Sequence, residues 1–118
     1  MTPEDLKVLV RTVPDFPKPG IQFRDLTPLI GHGAGFAASV ALLADAVRGA
    51  GAQAIAGIEA RGFVFGAAVA ARLGLGFVTV RKPGKLPVPV LAMDYALEYG
   101  TDRLEIDPAA IAQGARIV

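Results

Sequence analysis

Two periods alternate along the chain, one near 3.6 residues and one of short continuous apolar runs. At the start, Thr2 is placed to cap a helix, with Pro3 in its first turn and Asp5 spaced to reach back to the cap. The pattern predicts that this helix runs to about Arg11. Pro14, Pro17, Pro19 and Gly20 then forbid regular structure, so 14–20 reads as a stiff extended loop. Residues 21–23 form a short extended piece, and the Gly-His-Gly at 31–33 a linker. From 35 to about 48, Phe36, Val40, Leu43 and Val47 recur at helical spacing, and Gly49 and Gly51 stop the helix.

The second half is organised differently. Residues 54–58 are a continuous apolar run and read as a buried strand, 63–73 as a helix stopped by Gly74, and 77–80 as another strand. Strand, helix, strand in this order makes a crossover unit, so the two strands are parallel. Beyond Arg81, 82–87 is a loop, Pro89 keeps the next stretch irregular, and 88–100 reads as a mobile flap. Residues 103–106 alternate like a strand, 108–113 form at most a short helix, and 114–118 look like a turn entering a further strand. The class is α/β, a parallel sheet flanked by helices.

Composition removes several function classes. With 53% hydrophobic and 19% charged residues, the 118-residue chain has enough apolar surface to offset its ordering entropy and is not disordered. A formal net charge of +1 gives no bulk attraction to nucleic acid or membrane, so any anion site must come from local clustering. There are no cysteines, which excludes disulfides and Cys-based zinc sites. The polar, acidic start is no signal peptide. The longest apolar stretch, 63–71, lies between Arg61 and Arg72 and is far shorter than the ~20 residues a bilayer requires. A cytoplasmic protein is the expectation. Ile117-Val118 reads as a buried parallel strand just opening, which suggests a truncated chain with an unfinished sheet edge.

Candidate chemistry gathers where the parallel strands end, since open parallel sheets bind ligands outside their carboxyl ends. The first strand delivers Glu59-Ala60-Arg61-Gly62, and the helix after it aims free N–H groups and its positive dipole end at the same place. Arg61 adds a fork of donors suited to phosphate oxygens, and Gly62 permits close approach to the backbone. The second strand delivers Arg81, Lys82 and Lys85 to the same rim. Four cations on one edge of a nearly neutral protein form a polyanion site. Glu98, between Tyr95 and Tyr99 in the flap, is a carboxylate that closure over a ligand would suit for acid–base work. Phe23, between Gln22 and Arg24, could stack on a planar base or pack in the core. His32 has no partner in the pattern, and Asp25, Asp94 and Asp102 show no metal-ligand spacing.

These residues stand in four stretches: Phe16-Pro-Lys-Pro-Gly-Ile-Gln-Phe-Arg-Asp25, Glu59-Ala-Arg-Gly-Phe-Val-Phe-Gly66, Val80-Arg-Lys-Pro-Gly-Lys-Leu-Pro87 and Leu97-Glu-Tyr-Gly-Thr-Asp102. In content, order and spacing the chain resembles the adenine phosphoribosyltransferases, of type I phosphoribosyltransferase fold, from about Val13 onward. The resemblance implies a partial domain over 1–118, with an N-terminal helix and base-binding hood segment in 1–34 and the first part of the α/β core in 35–118, including a flexible loop at 82–102. It implies transfer of the phosphoribosyl group of PRPP (5-phosphoribosyl 1-diphosphate) to adenine, giving AMP and pyrophosphate, with Mg²⁺ carried by PRPP, in a homodimer. Phe23 would stack on the base while backbone groups of Gln22 and Arg24 read its edge. Glu59, Ala60, Arg61, Gly62, Arg81 and Lys85, and less strongly Lys82, would face the pyrophosphate. Glu98 and Tyr99 would lie on the catalytic loop, with Glu98 as acid–base partner of the purine. Family members continue past a Gly-Ala-Arg-Ile-Val stretch into an acidic, Gly/Thr-rich loop that holds the ribose 5-phosphate. The 118 residues by themselves are therefore expected to be inactive and poorly soluble. A transferase for another purine, or a non-catalytic PRPP-binding regulator of the same fold, are the alternatives.

Overall fold

The computed structural model describes residues 1–98 and 100–118; Tyr99 lies outside the described residues. The chain forms two compact units, Met1–Leu43 and Ala44–Val118.

In the first unit, α1 (Pro3–Lys7) opens with the expected reciprocal cap between Thr2 and Asp5. It ends earlier than the pattern predicts. Arg11–Pro14 is instead a strand, β1, paired antiparallel with β2 (Gln22–Asp25). Cross-strand partners override the local helical spacing there: Arg11 Nε donates to Asp25 at 3.1 Å, and Arg24 bonds the Thr12 hydroxyl. The proline loop joins the two strands. Its turn is tied by Gly20 N–H donating to Asp15 Oδ1 at 2.8 Å. A short α2 (Thr27–Ile30), absent from the sequence reading, begins with Pro28 in its first turn.

The long helix α3 (Gly33–Gly49) matches its expected span. Its buried face differs in one position. Val40 and Ala44, one turn apart, are buried with Ser39, whereas Leu43 is 43% exposed. Ser39 satisfies its hydroxyl on the Gly35 carbonyl at 2.9 Å, which lets a polar side chain take the inward position. His32 is not idle: its Nδ1 accepts from Gly35 N–H at 2.9 Å and so caps α3.

The second unit carries the parallel pair. β3 (Ala54–Ile58) and β4 (Gly76–Val80) run in register from Ala54↔Gly76 to Ile58↔Val80, joined by α4 (Arg61–Leu73). Gly74, left-handed at φ 68°, ends α4. Ile55, Val78, Val69 and Ala70 form the core between strands and helix. Phe77 is wedged in from β4. A Cβ at Gly57 would lie 2.7 Å from its ring and one at Gly66 2.5 Å. Two glycines thus leave the space one aromatic ring fills.

The stretch expected to be irregular, 88–100, contains β5 (Leu91–Leu97), paired antiparallel along its length with β6 (Gly100–Ile106). The pattern missed β5 because neither of its faces is buried, so no alternation marks it. β4 continues into this hairpin at Arg81, whose N–H and carbonyl bond those of Glu105 at 2.9 and 2.8 Å. A short 3₁₀ turn (Pro108–Ala110) follows. Ile117 then bridges Ala54 in parallel, so the last residues do enter the sheet beside β3.

Candidate functional site

Because β3 and β4 are parallel and end level, both deliver their next residues to one rim. Glu59 N–H still bonds the Val80 carbonyl at 3.0 Å, so the ladder reaches one residue past β3. The Glu59–Ala60 peptide is cis, and Arg61, exposed, opens α4. No side chain caps this helix. The first amides of any helix lack intrahelical acceptors, so the positive end of α4 is presented at the rim. Gly62 lies against β3: a Cβ there would fall 3.4 Å from the Gly57 backbone, an ordinary contact.

Glu59 organises the cations. Its Oε1 accepts from the Lys82 backbone N–H at 2.7 Å and from Arg81 Nε at 3.3 Å. The Lys82 amide first, then the Arg81 and Lys85 charges, hold its carboxyl below the ordinary value. Arg81 is further fixed by its guanidinium lying 5.6 Å from the Phe63 ring centroid. Phe63 in turn meets Phe77 edge-on at 5.7 Å. The rim cation is therefore seated on the same aromatic wedge that packs the core.

Lys82 is not brought to the rim with the other cations. Its Nζ pairs with Asp102 Oδ2 at 2.6 Å, and the Tyr95 hydroxyl donates to the same oxygen at 2.9 Å. Lys82, the Arg103 amide and Tyr95 together lower the Asp102 carboxyl to about 2. Glu105, buried, accepts from Gly84 N–H at 3.0 Å and from Arg103 at 3.0 Å. Sequence reading missed Asp102, Tyr95 and Glu105. The available signal was the hairpin itself: pairing Leu97 with Gly100 makes Tyr95 and Asp102 cross-strand partners. Glu98 is exposed at the hairpin turn, and Tyr99 lies outside the described residues.

In the first unit, Gln22, Phe23 and Arg24 are consecutive on β2. Phe16 meets Phe23 edge-on at 5.2 Å. Gln22 and Arg24 are two apart, so their backbone groups lie along one edge of the strand. The Thr27 hydroxyl and amide, with Arg11, lower Asp25 to about 2.

The lowered carboxyls fix the sign of acid sensitivity. Asp25 and Asp102 lie near 2 in the fold against an ordinary 3.8, and Glu59 and Glu105 are lowered as well. Their contribution is complete above the ordinary carboxylate range and is lost as pH falls toward the folded values. The melting temperature, followed by circular dichroism, is expected to be level above about pH 5 and to fall between about pH 4 and 2. A rise on acidification would contradict these pairings.

Among the described residues no group of three or more His, Asp or Glu could hold a metal ion. No described helix is long and apolar enough to cross a membrane.

No protein-family model matches the chain. The adenine phosphoribosyltransferase of Novosphingobium aromaticivorans is 70% identical over all 118 residues, and the chain spans 66% of that protein's length. The adenine phosphoribosyltransferase of Thermoanaerobacter sp. strain X514 is 52% identical, again over the whole chain, which covers 68% of it. The crystal structure of adenine phosphoribosyltransferase from Thermoanaerobacter pseudethanolicus superposes with a TM-score of 0.94 at 52% identity, over 98% of this chain and 67% of that one. Identity of this order, unbroken from one end of the chain to the other, shows that it belongs to the adenine phosphoribosyltransferase family.

Proposed function

We propose that this chain supplies the pyrophosphate-binding rim and the base-binding strand of an enzyme that converts adenine and PRPP to AMP and pyrophosphate. The observation that carries the reading is Arg81: Glu59 and Phe63 fix its guanidinium at the level ends of two parallel strands, beside the uncapped start of α4. Arg61 and Lys85 belong to the same two segments and add charge. Breaking the bond between sugar and pyrophosphate leaves negative charge on the leaving group. Donors already fixed in place stabilise that charge without reorganising.

Phe23 offers a ring for the adenine plane, and the edge of β2 at Gln22 and Arg24 offers backbone groups for its polar rim. Glu98, with Tyr99, is assigned to acid–base work on the purine through the family resemblance. A homodimer rests on that resemblance alone, and a cytoplasmic setting on the sequence's composition and polar start. A Mg²⁺ ion does not fit the side chains of this rim. Arg61, Arg81 and Lys85 repel it, and the Glu59 carboxylate is engaged by Arg81 and Lys82. Any such ion would be held by oxygens of PRPP itself.

Calorimetric titration of the chain tests the rim. Pyrophosphate should bind in the micromolar range, about −8 kcal/mol, and at least ~10 times more tightly than inorganic phosphate. Its affinity should fall as salt is raised. Equal affinity for the two anions would refute the reading.

A further inference from the structure

Lys82 is in the rim's sequence but turned away from it. Its ammonium is half-buried against Asp102, its strongest partner, and Asp102 is shared with the Tyr95 hydroxyl. Tyr95 and Asp102 face each other across the β5–β6 ladder. The three groups therefore cross-link the segment after β4 to the middle of the hairpin. Lower down, the Arg81–Glu105 backbone bridge and the Glu105–Gly84 bond make two further ties between the same segments. Among the described residues, the Lys82 contact is the tie that reaches furthest along the hairpin, and an isolated two-stranded hairpin is marginal in water.

We propose that Lys82, Asp102 and Tyr95 form a latch that fixes the β5–β6 hairpin to the phosphate rim, making Lys82 a positioning residue rather than a phosphate ligand. The proposal deepens the reading of the rim as a pyrophosphate site and gives that site a device for placing Glu98, which sits at the hairpin's turn. The other charges near the group have their own partners or stand apart. Arg103 bonds Glu105 at 3.0 Å and approaches Asp94 at 3.9 Å, and Arg81 faces Glu59. Asp102 is thus the acceptor to which the Lys82 ammonium is committed. A polyanion arriving at the rim would have to break that pair and leave the Asp102 carboxylate without its cation in order to recruit it.

The test is amide hydrogen exchange across 91–106, together with pyrophosphate titration, on the full chain and on Lys82→Met, Asp102→Asn and Tyr95→Phe. Lys82→Met and Asp102→Asn should each speed exchange of the hairpin amides, on the order of tenfold, and the double variant should be no faster than either alone. Tyr95→Phe should give a smaller change of the same sign. Measured at raised salt, which screens the opposite charge changes of the two substitutions, both main variants should alter pyrophosphate affinity equally, because both act by opening the same latch. Unchanged exchange in either would overturn the latch. A loss of pyrophosphate binding about tenfold larger in Lys82→Met than in Asp102→Asn would overturn the positioning role and make the lysine a ligand. If the unaltered chain fails to bind pyrophosphate, the function proposed for the rim falls, while the exchange comparison still decides the latch.

Discussion

Gly57→Val is expected to damage both the stability of the second unit and its anion site. The first added carbon would lie 2.5 Å from the Gly62 carbonyl oxygen and 2.7 Å from the Phe77 ring. Neither neighbour can yield easily. The oxygen is part of the first turn of α4, and Phe77 also lies close against Gly66, where an added Cβ would fall 2.5 Å from its ring. Overpacking of this kind costs ~1–3 kcal/mol, equivalent to a melting temperature lower by roughly ten degrees at the upper end. The damage should extend beyond stability. Pushing α4 off β3 moves Arg61 and the helix start away from the rim, so pyrophosphate affinity should fall at least about tenfold. Gly76→Ala is the control: it lies in the paired strand β4, and nothing stands within 4 Å of an added Cβ. Its melting temperature and titration should match the unaltered chain. A Gly57→Val protein that melts and binds normally would mean the turn is not packed as described.

Arg81→Ala should produce the largest loss of binding for the smallest loss of fold. The substitution removes the fork at the rim, its bond to Glu59 and its stacking on Phe63. The backbone bridge to Glu105 is unaffected by the side chain. One charge-assisted contact to phosphate corresponds to about 10–100-fold in affinity, and that is the expected weakening for pyrophosphate. Arg81→Lys should recover only part of it, since a lysine keeps the charge but neither the planar fork nor the stacking. Glu59→Gln should weaken binding less, because the amide oxygen can still accept from the Lys82 N–H. Titration of the three variants gives the order directly. Arg81→Ala binding as tightly as the parent would remove Arg81 from the site.

The crossover unit was legible because every level of the chain agreed on it. The apolar runs at 54–58 and 77–80, the helical spacing between them and the terminating Gly74 all specified one arrangement, and the register found is the one that arrangement requires. The rim followed from the same logic, since parallel strands must end on one side. What escaped was set by contacts between segments distant in sequence. β1 is held by partners on β2, against a local pattern that favoured more helix. β5 shows no alternation because it covers no core. Lys82 was counted with the rim because its neighbours Arg81 and Lys85 suggest a shared direction. A side chain is aimed by its nearest strong partner, however, and Asp102 lies twenty residues further on. Gly57 shows the same limit, because the space beside a glycine is visible only once its neighbours, the Gly62 carbonyl and the Phe77 ring, are in place.

Residue 82 engages two different parts of the protein through two different atoms. Its main-chain nitrogen is pinned to Glu59, at the tip of β3, and its side-chain nitrogen to Asp102, in the hairpin. Chemistry can cut these tethers one at a time: a methionine severs only the outer one and leaves the inner amide intact. Mechanically the residue is a short tie-rod. A displacement of the β3 tip can reach the middle of the hairpin through this side chain, by a route separate from the Arg81–Glu105 backbone bridge.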